Sequence, residues 1–110
     1  METIELCGTL NQEVKEKHYK MCLEYYLISE DISEDYCNLK RYGVMIKKIA
    51  TYPDCSKREE VKKINDIFFR LEDAREFMDI VMQGGVTPIA LKDIVENHIA
   101  RQMTPDELLA

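Results

Sequence analysis

Apolar residues occupy every second position between residues 19 and 27. Successive side chains of a strand point to opposite faces, so this period of two indicates a strand with one buried face. A second alternating run extends over residues 42–50 and is interrupted at Lys48. We therefore predict two antiparallel strands, over about residues 18–29 and 39–52.

The apolar period changes in the last third of the chain. Between Leu71 and Val81, apolar residues recur every three or four positions, which is the spacing of one face of a helix. A similar stripe begins at Leu91. We predict two helices, over residues 71–83 and 88–101, that together form a hairpin.

A short turn sequence separates these two helices. Gly84 and Gly85 end the first helix, because glycine readily adopts the left-handed conformation that often follows a helix. Thr87 can cap the second helix with its hydroxyl, and Pro88 suits the first helical position, where its missing N–H is not needed. The sequence therefore predicts a tight and well-defined turn.

The segment over residues 57–69 permits two predictions. Ser56 and Glu59 could form a capping box, and the segment would then extend the following helix. That helix would be unusually long, and the same residues can form a third strand over residues 59–67. The residues themselves leave both alternatives open.

Three other segments have no clear period. Residues 1–17 are predicted to be an N-terminal arm or a short helix, and the acidic segment 30–38 is predicted to be a loop. A capping box from Thr104 to Glu107 predicts a short C-terminal helix or tail over residues 102–110.

Two short motifs resemble a known family. They are Tyr-Gly-Val at residues 42–44 and Val-Thr-Pro-Ile at residues 86–89. Through them, residues 20–101 resemble a family of small uncharacterised proteins from clostridia and related Gram-positive bacteria, a domain of unknown function. The resemblance implies that a strand ends at Ile67, which favours the third strand, and it implies no activity, cofactor or catalytic residue.

These patterns predict an α+β fold in which a three-stranded antiparallel β-meander packs against a C-terminal helical hairpin. We expect a single domain over residues 18–101. The chain has 110 residues, of which 45% are hydrophobic, and a chain of this size can bury a substantial core.

The charge of the chain is unevenly distributed. The net charge is −6, but residues 40–63 carry eight basic and three acidic side chains. This basic middle could attract an anionic partner, or its charges could pair within the fold. The candidate interaction surface comprises Lys40, Arg41, Lys47, Lys48, Leu108 and Leu109.

Motifs for catalysis or metal binding are not evident. The four cysteines form no Cys-x-x-Cys pair, so they predict free, buried thiols and not a zinc or redox site. On a strand, His18 and Cys22 would stand about 13 Å apart, too far for a nucleophile and its base. We therefore expect no cofactor and no enzymatic activity.

The predicted hairpin invites comparison with helix-turn-helix DNA-binding proteins. Residues 71–101 hold six acidic and three basic side chains, however, and DNA binding depends on basic contacts to phosphates. The chain has no run of about 18 apolar residues and no signal-peptide pattern at its start. We therefore expect a cytoplasmic location and no membrane partner.

The leading functional prediction is a non-enzymatic cytoplasmic protein that binds another protein or itself in an accessory or regulatory role. Open sheet edges and a terminal apolar pair favour this prediction. The alternative is a nucleic-acid-binding regulator that uses the hairpin over residues 71–101. A small enzyme with an unrecognised site comes third.

The turn provides a direct test of the helical hairpin. If Gly85 holds a positive φ, a β-branched side chain is strained there, so Gly85→Val should lower the melting temperature. An unchanged melting temperature would contradict the assignment of Gly85 to the end of the first helix.

Overall fold

One antiparallel sheet forms the body of the protein. The computed structural model describes the backbone of residues 2–34 and 37–102 and the side chains of residues 2–32 and 39–101. Each strand pairs antiparallel with the next strand along the chain, so the order across the sheet follows the sequence. The strands are β1 (Glu2–Val14), β2 (Tyr19–Glu34), β3 (Cys37–Thr51) and β4 (Lys57–Phe68).

Two helices follow the sheet. Helix α1 spans Leu71–Gln83 and helix α2 spans Leu91–Gln102, with a 3-10 turn over Pro88–Ala90 leading into α2. The α+β class, the antiparallel sheet and the strand within residues 57–69 are therefore confirmed. The rest of the predicted C-terminal helix or tail, residues 103–110, lies outside the described residues.

The prediction of three strands is wrong, because β1 adds a fourth where we expected an arm or a short helix. A β-bulge between Leu6 and Gly8 shifts the register of β1 against β2. Ile4 pairs with Ile28 before the bulge and Leu10 pairs with Leu23 after it, so these two apolar residues lie on opposite faces although their spacing is even. The strand also has one free edge and is mostly exposed, which removes the periodic signal of a buried face.

The predicted acidic loop over residues 30–38 is also wrong. Strands β2 and β3 remain paired through this segment, as far as Glu34 opposite Cys37. The flanking strands stop earlier, since the pairing of β1 ends at Glu30 and that of β4 ends at Tyr42. The far end of the β2–β3 hairpin therefore extends beyond the four-stranded part of the sheet.

The end of α1 agrees with the predicted glycine stop. Gly85 has a φ of 59°, and its N–H donates to the carbonyl of Met82 at 3.2 Å. The next N–H, that of Val86, donates to the carbonyl of Val81 at 3.1 Å. These two bonds form a Schellman motif, which satisfies carbonyls that the end of the helix leaves free. At this φ, an L side chain costs about 1–2 kcal/mol.

The start of the second helical segment agrees only in part with the predicted Thr87 cap and Pro88 start. Thr87 has the extended backbone of an N-cap, and Pro88 follows at the first helical position. The hydroxyl of Thr87 makes no capping hydrogen bond, however, so that part of the prediction is wrong. The segment starts as a 3-10 turn, in which the carbonyl of Thr87 accepts from the N–H of Ala90 at 3.1 Å.

The core lies between one face of the sheet and the helices. The central strands β2 and β3 supply side chains at alternate positions, and α1 supplies its apolar stripe. Phe68 and Phe77 also pack against the half-buried ring of His98, at centroid distances of 5.8 and 4.8 Å. Eight of the nine largest fully buried side chains lie in this core, and the ninth, Ile28, lies on the opposite face of the sheet. The eight are Tyr25, Phe77, Leu23, Leu27, Ile46, Leu91, Val44 and Val81.

Tyr25 joins the sheet to the helical hairpin with a single hydrogen bond. Its side chain is 1% exposed, and its hydroxyl donates to the carbonyl of Val86 at 3.0 Å. This bond fixes the turn between the helices to a central strand. Burial raises the pKa of the Tyr25 hydroxyl, because the ionised form is poorly solvated there.

Removing this hydroxyl should destabilise the protein. We expect Tyr25→Phe to lower the free energy of unfolding by about 1 kcal/mol, because the Val86 carbonyl loses its donor. The difference should shrink above about pH 10, where the tyrosine of the unfolded wild type ionises and favours unfolding. Chemical denaturation from pH 7 to pH 11 measures both effects.

Tyr52→Phe is the matched control, because the Tyr52 hydroxyl makes no hydrogen bond within the described residues. At pH 7 it should change the stability by less than Tyr25→Phe. Equal losses in the two variants would contradict a specific role for the Tyr25 bond.

Candidate functional site

The two faces of the sheet differ in what covers them. The helices cover the core face, whereas no described element packs on the opposite face, which we call the outer face. Ile4, Leu6 and Val61 lie on the outer face and are 46%, 51% and 51% exposed. The outer face thus combines apolar side chains with charged neighbours.

An ion pair spans the outer face from one sheet edge to the other. Glu2 of β1 binds Lys63 of β4, although β2 and β3 lie between them. Three strand spacings alone amount to about 14 Å, and the two residues are also offset along the strands. The sheet must therefore coil toward this face, which explains why Ile28 is only 1% exposed without a covering helix.

The predicted basic residues do not form one surface. Arg41 and Lys47 lie on the outer face, where they pair with Asp66 at 3.6 Å and Glu59 at 3.2 Å. The Glu59 carboxylate raises the pKa of Lys47. Lys48 lies on the opposite face of β3, with its ammonium 5.9 Å from the centroid of the Tyr19 ring.

The remaining predicted site residues lie apart from these three. Lys40 is on the extended β2–β3 hairpin, 4.0 Å from Asp31. Leu108 and Leu109 are outside the described residues. Four of the eight basic side chains of residues 40–63 therefore pair with carboxylates on other strands.

The cysteines differ from the predicted buried thiols. Cys7 and Cys22 are half-buried and Cys55 is exposed, and all three are free. The side chain of Cys37 is outside the described part of the chain. Within the described residues, no group of three His, Cys, Asp or Glu side chains could hold a metal ion.

The two sheet edges have different protection against added strands. The free edge of β4 carries seven charged residues among twelve, together with a bulge near Gly43 and a positive φ of 58° at Asp66. Charges and bulges are devices by which proteins keep an exposed edge from pairing. The free edge of β1 carries three charged residues among thirteen and has one bulge. The β1 edge is therefore the less protected of the two.

A pocket of about 280 Å³ lies between β1 and α1. Leu27 and Met78 form its buried wall, and Cys7 and Met82 are half-buried beside them. A Cβ at Gly8 would lie 2.8 Å from the Met82 sulfur, so a larger residue there would require this flexible side chain to shift. We call this pocket the β1–α1 groove.

Charged side chains form the rim of the β1–α1 groove. Glu5, Arg75 and Asp79 are exposed at its mouth, and none of them takes part in an ion pair among the described residues. Two carboxylates against one guanidinium make this rim acidic. Burial raises the pKa of the Cys7 thiol inside the groove, and the neighbouring Glu5 carboxylate raises it further.

A second depression, of about 520 Å³, differs in construction. Its lining comes from three neighbouring strands, without a wall from either helix. The residues are Asn11, Gln12, Glu13, Lys20, Met21, Cys22, Ile49 and Thr51. The β1–α1 groove is the better-defined candidate site, because a helix and a free strand edge bound it together.

The exposed surface of α2 has no excess of basic side chains. Lys92 and Arg101 are exposed, and so are Asp93 and Glu96. In the described part of the chain, no helix has the length and apolar character needed to cross a membrane.

The differing environments of the thiols should appear in their alkylation rates. In a Cys37→Ser variant at pH 8, we expect iodoacetamide to modify Cys55 several-fold faster than Cys7, because the thiolate reacts and burial disfavours it at Cys7. Peptide mass spectrometry resolves the sites. The Cys7 rate should keep rising above pH 9, and equal rates for the two thiols at pH 8 would contradict the burial of Cys7.

Comparison with known proteins identifies the chain at the level of its family. No curated protein and no solved structure matches the sequence. Residues 4–101 match the model of a Family of unknown function (DUF6514). This range includes nearly all of the four strands and both helices. The chain therefore belongs to this family of unknown function.

Proposed function

We propose that the protein is a non-enzymatic, cytoplasmic interaction module that binds an extended segment of another protein at the free edge of β1. Such a segment would add a fifth strand to the sheet. Main-chain hydrogen bonds to the free N–H and C=O groups of an edge supply affinity in this mode of recognition. The module would serve an accessory or regulatory role.

The unequal protection of the two edges carries this proposal. Charge and a bulge protect β4, which directs any pairing to β1. Exposed apolar side chains at Ile4 and Leu6 would lie beside an added strand on the outer face. The three free cysteines suit a reducing compartment such as the cytoplasm.

Nucleic-acid binding by the helical hairpin has less support. Equal numbers of acidic and basic side chains on the exposed surface of α2 provide little attraction for phosphates. Three of the four basic residues of β3 are engaged with acidic partners on neighbouring strands. Both observations favour a protein partner.

Photo-crosslinking in the native host tests the proposal. We would place p-benzoylphenylalanine at Thr9 on β1, or at Val61 on β4 as the matched control. Both are exposed β-branched residues on the outer face, at opposite edges of the sheet. We expect the Thr9 probe to crosslink to a defined protein segment, and the Val61 probe to give little product.

Mass spectrometry of the crosslinked peptides identifies the partner segment. A segment of another protein supports the proposal, and the β1 of a second copy would indicate self-association through the same edge. No product from Thr9, or equal products from Thr9 and Val61, would contradict the proposal.

A further inference from the structure

The β1–α1 groove adds side-chain recognition to the free edge of β1. A strand added beside β1 would have every second side chain on the face that α1 covers. The groove lies on this face, next to Glu5, Leu6 and Cys7 of β1. One side chain of the added strand can therefore enter the groove while its backbone pairs with β1.

The lining of the groove selects an apolar side chain. Leu27 and Met78 close its inner end at 1% and 2% exposure, and Cys7 and Met82 flank it. A cavity of about 150 Å³ accommodates benzene, so about 280 Å³ is enough for a leucine, methionine or phenylalanine side chain. The two methionines can adjust to its shape, because methionine is unbranched and flexible.

The rim of the groove selects the neighbouring residues by charge. Same-face neighbours of the inserted side chain lie about 7 Å away along the strand, which places them above the rim. Glu5 and Asp79 outnumber Arg75 there, and β1 itself carries three acidic and no basic residues. Lysine or arginine at these neighbouring positions complements the rim, whereas glutamate opposes it.

We infer that the β1–α1 groove binds an extended peptide with a large apolar residue flanked two positions away on each side by a basic residue. This inference rests on the proposed edge pairing and names the chemistry of the partner. Backbone pairing with β1 provides affinity, the groove selects the apolar residue, and Asp79 and Glu5 select the basic ones. Asp79 is a specificity residue, since it contacts only the flanking positions.

Model peptides test this chemistry with the full-length protein. The probe is a fluorescein-labelled Thr-Lys-Val-Leu-Val-Lys-Thr peptide, in which leucine and both lysines share one face of the strand. Three control peptides replace leucine by serine, replace both lysines by glutamate, or carry N-methyl groups that block backbone pairing. Fluorescence anisotropy measures binding, and we expect the probe to bind at least roughly tenfold more tightly than each control peptide.

Two charge variants of α1 test the assignment of Asp79. Asp79→Lys reverses a charge at the rim, and Glu76→Lys makes the same change at another exposed position of α1 that does not line the groove. We expect Asp79→Lys to weaken binding of the lysine probe roughly threefold or more and to improve binding of the glutamate peptide. Glu76→Lys should change either affinity by less than about twofold.

The Cys7 thiol reports directly on occupation of the groove. Saturating probe peptide should slow the alkylation of Cys7 by iodoacetamide and leave that of Cys55 unchanged, since Cys55 lies outside the groove. If Cys7 alkylation without peptide slows as the protein concentration rises, and light scattering shows a dimer, the groove binds a second copy and the inference is overturned.

Other outcomes separate this inference from the proposed function. Failure of the probe to bind, equal effects of the two lysine variants, or an unchanged Cys7 rate with bound probe would each overturn the inference about the groove. The proposed function would survive those results if the Thr9 crosslink forms. If the Thr9 crosslink is absent as well, both the inference and the proposed function are wrong.

Discussion

The bond between the Tyr25 hydroxyl and the Val86 carbonyl fixes the position of the inter-helix turn within the apolar core that holds the helical hairpin on the sheet. Tyr25 is buried in a central strand, and Val86 closes the Schellman motif at the end of α1. In the same turn, Gly85 lies close to the Leu10 side chain of β1. Fixing this turn over the sheet holds the end of α1 beside β1, and the groove between them follows from that position.

Three of the described ion pairs link strands across the outer face, and no described pair includes the rim of the β1–α1 groove. Three of the seven charged residues of β4 pair with β3 or with Glu2 across the coiled outer face. The rim of the β1–α1 groove has no such partners among the described residues. What distinguishes this corner is the apolar pocket that lies between its free strand edge and α1, inside the charged rim.

The sequence was sufficient to predict the elements whose signals are local. The alternation in β2 and β3, the stripe of α1 and the glycine stop all reflect neighbouring residues, and each is present in the structure. Strand β1 was missed because it is mostly exposed and because the bulge at Leu6 and Gly8 places its apolar residues on both faces, so it has no continuous buried face. The paired end of the β2–β3 hairpin was missed because its acidic composition is typical of a loop.

The groove could not be predicted because its parts come from distant positions. Cys7, Leu27 and Met78 meet only after β1 has paired with β2 and α1 has packed on both. The basic segment over residues 40–63 suggested an interaction surface instead. Pairing of β3 with β4 brings Lys47 next to Glu59, and this proximity is not evident from their separation in the sequence. One local signal was available: an isolated Gly8 in an otherwise strand-forming segment is typical of a bulge or a close backbone approach.

The bulge at Leu6 and Gly8 also limits the register in which another strand could pair with the free edge of β1. A uniform strand repeats every two residues, so a partner could slide along it by two positions and meet nearly the same hydrogen-bonding pattern. The extra residue at the bulge removes this translational equivalence, because the edge on one side of it is out of phase with the edge on the other. A strand that paired with this edge would therefore favour a single alignment over the alignments shifted by two residues.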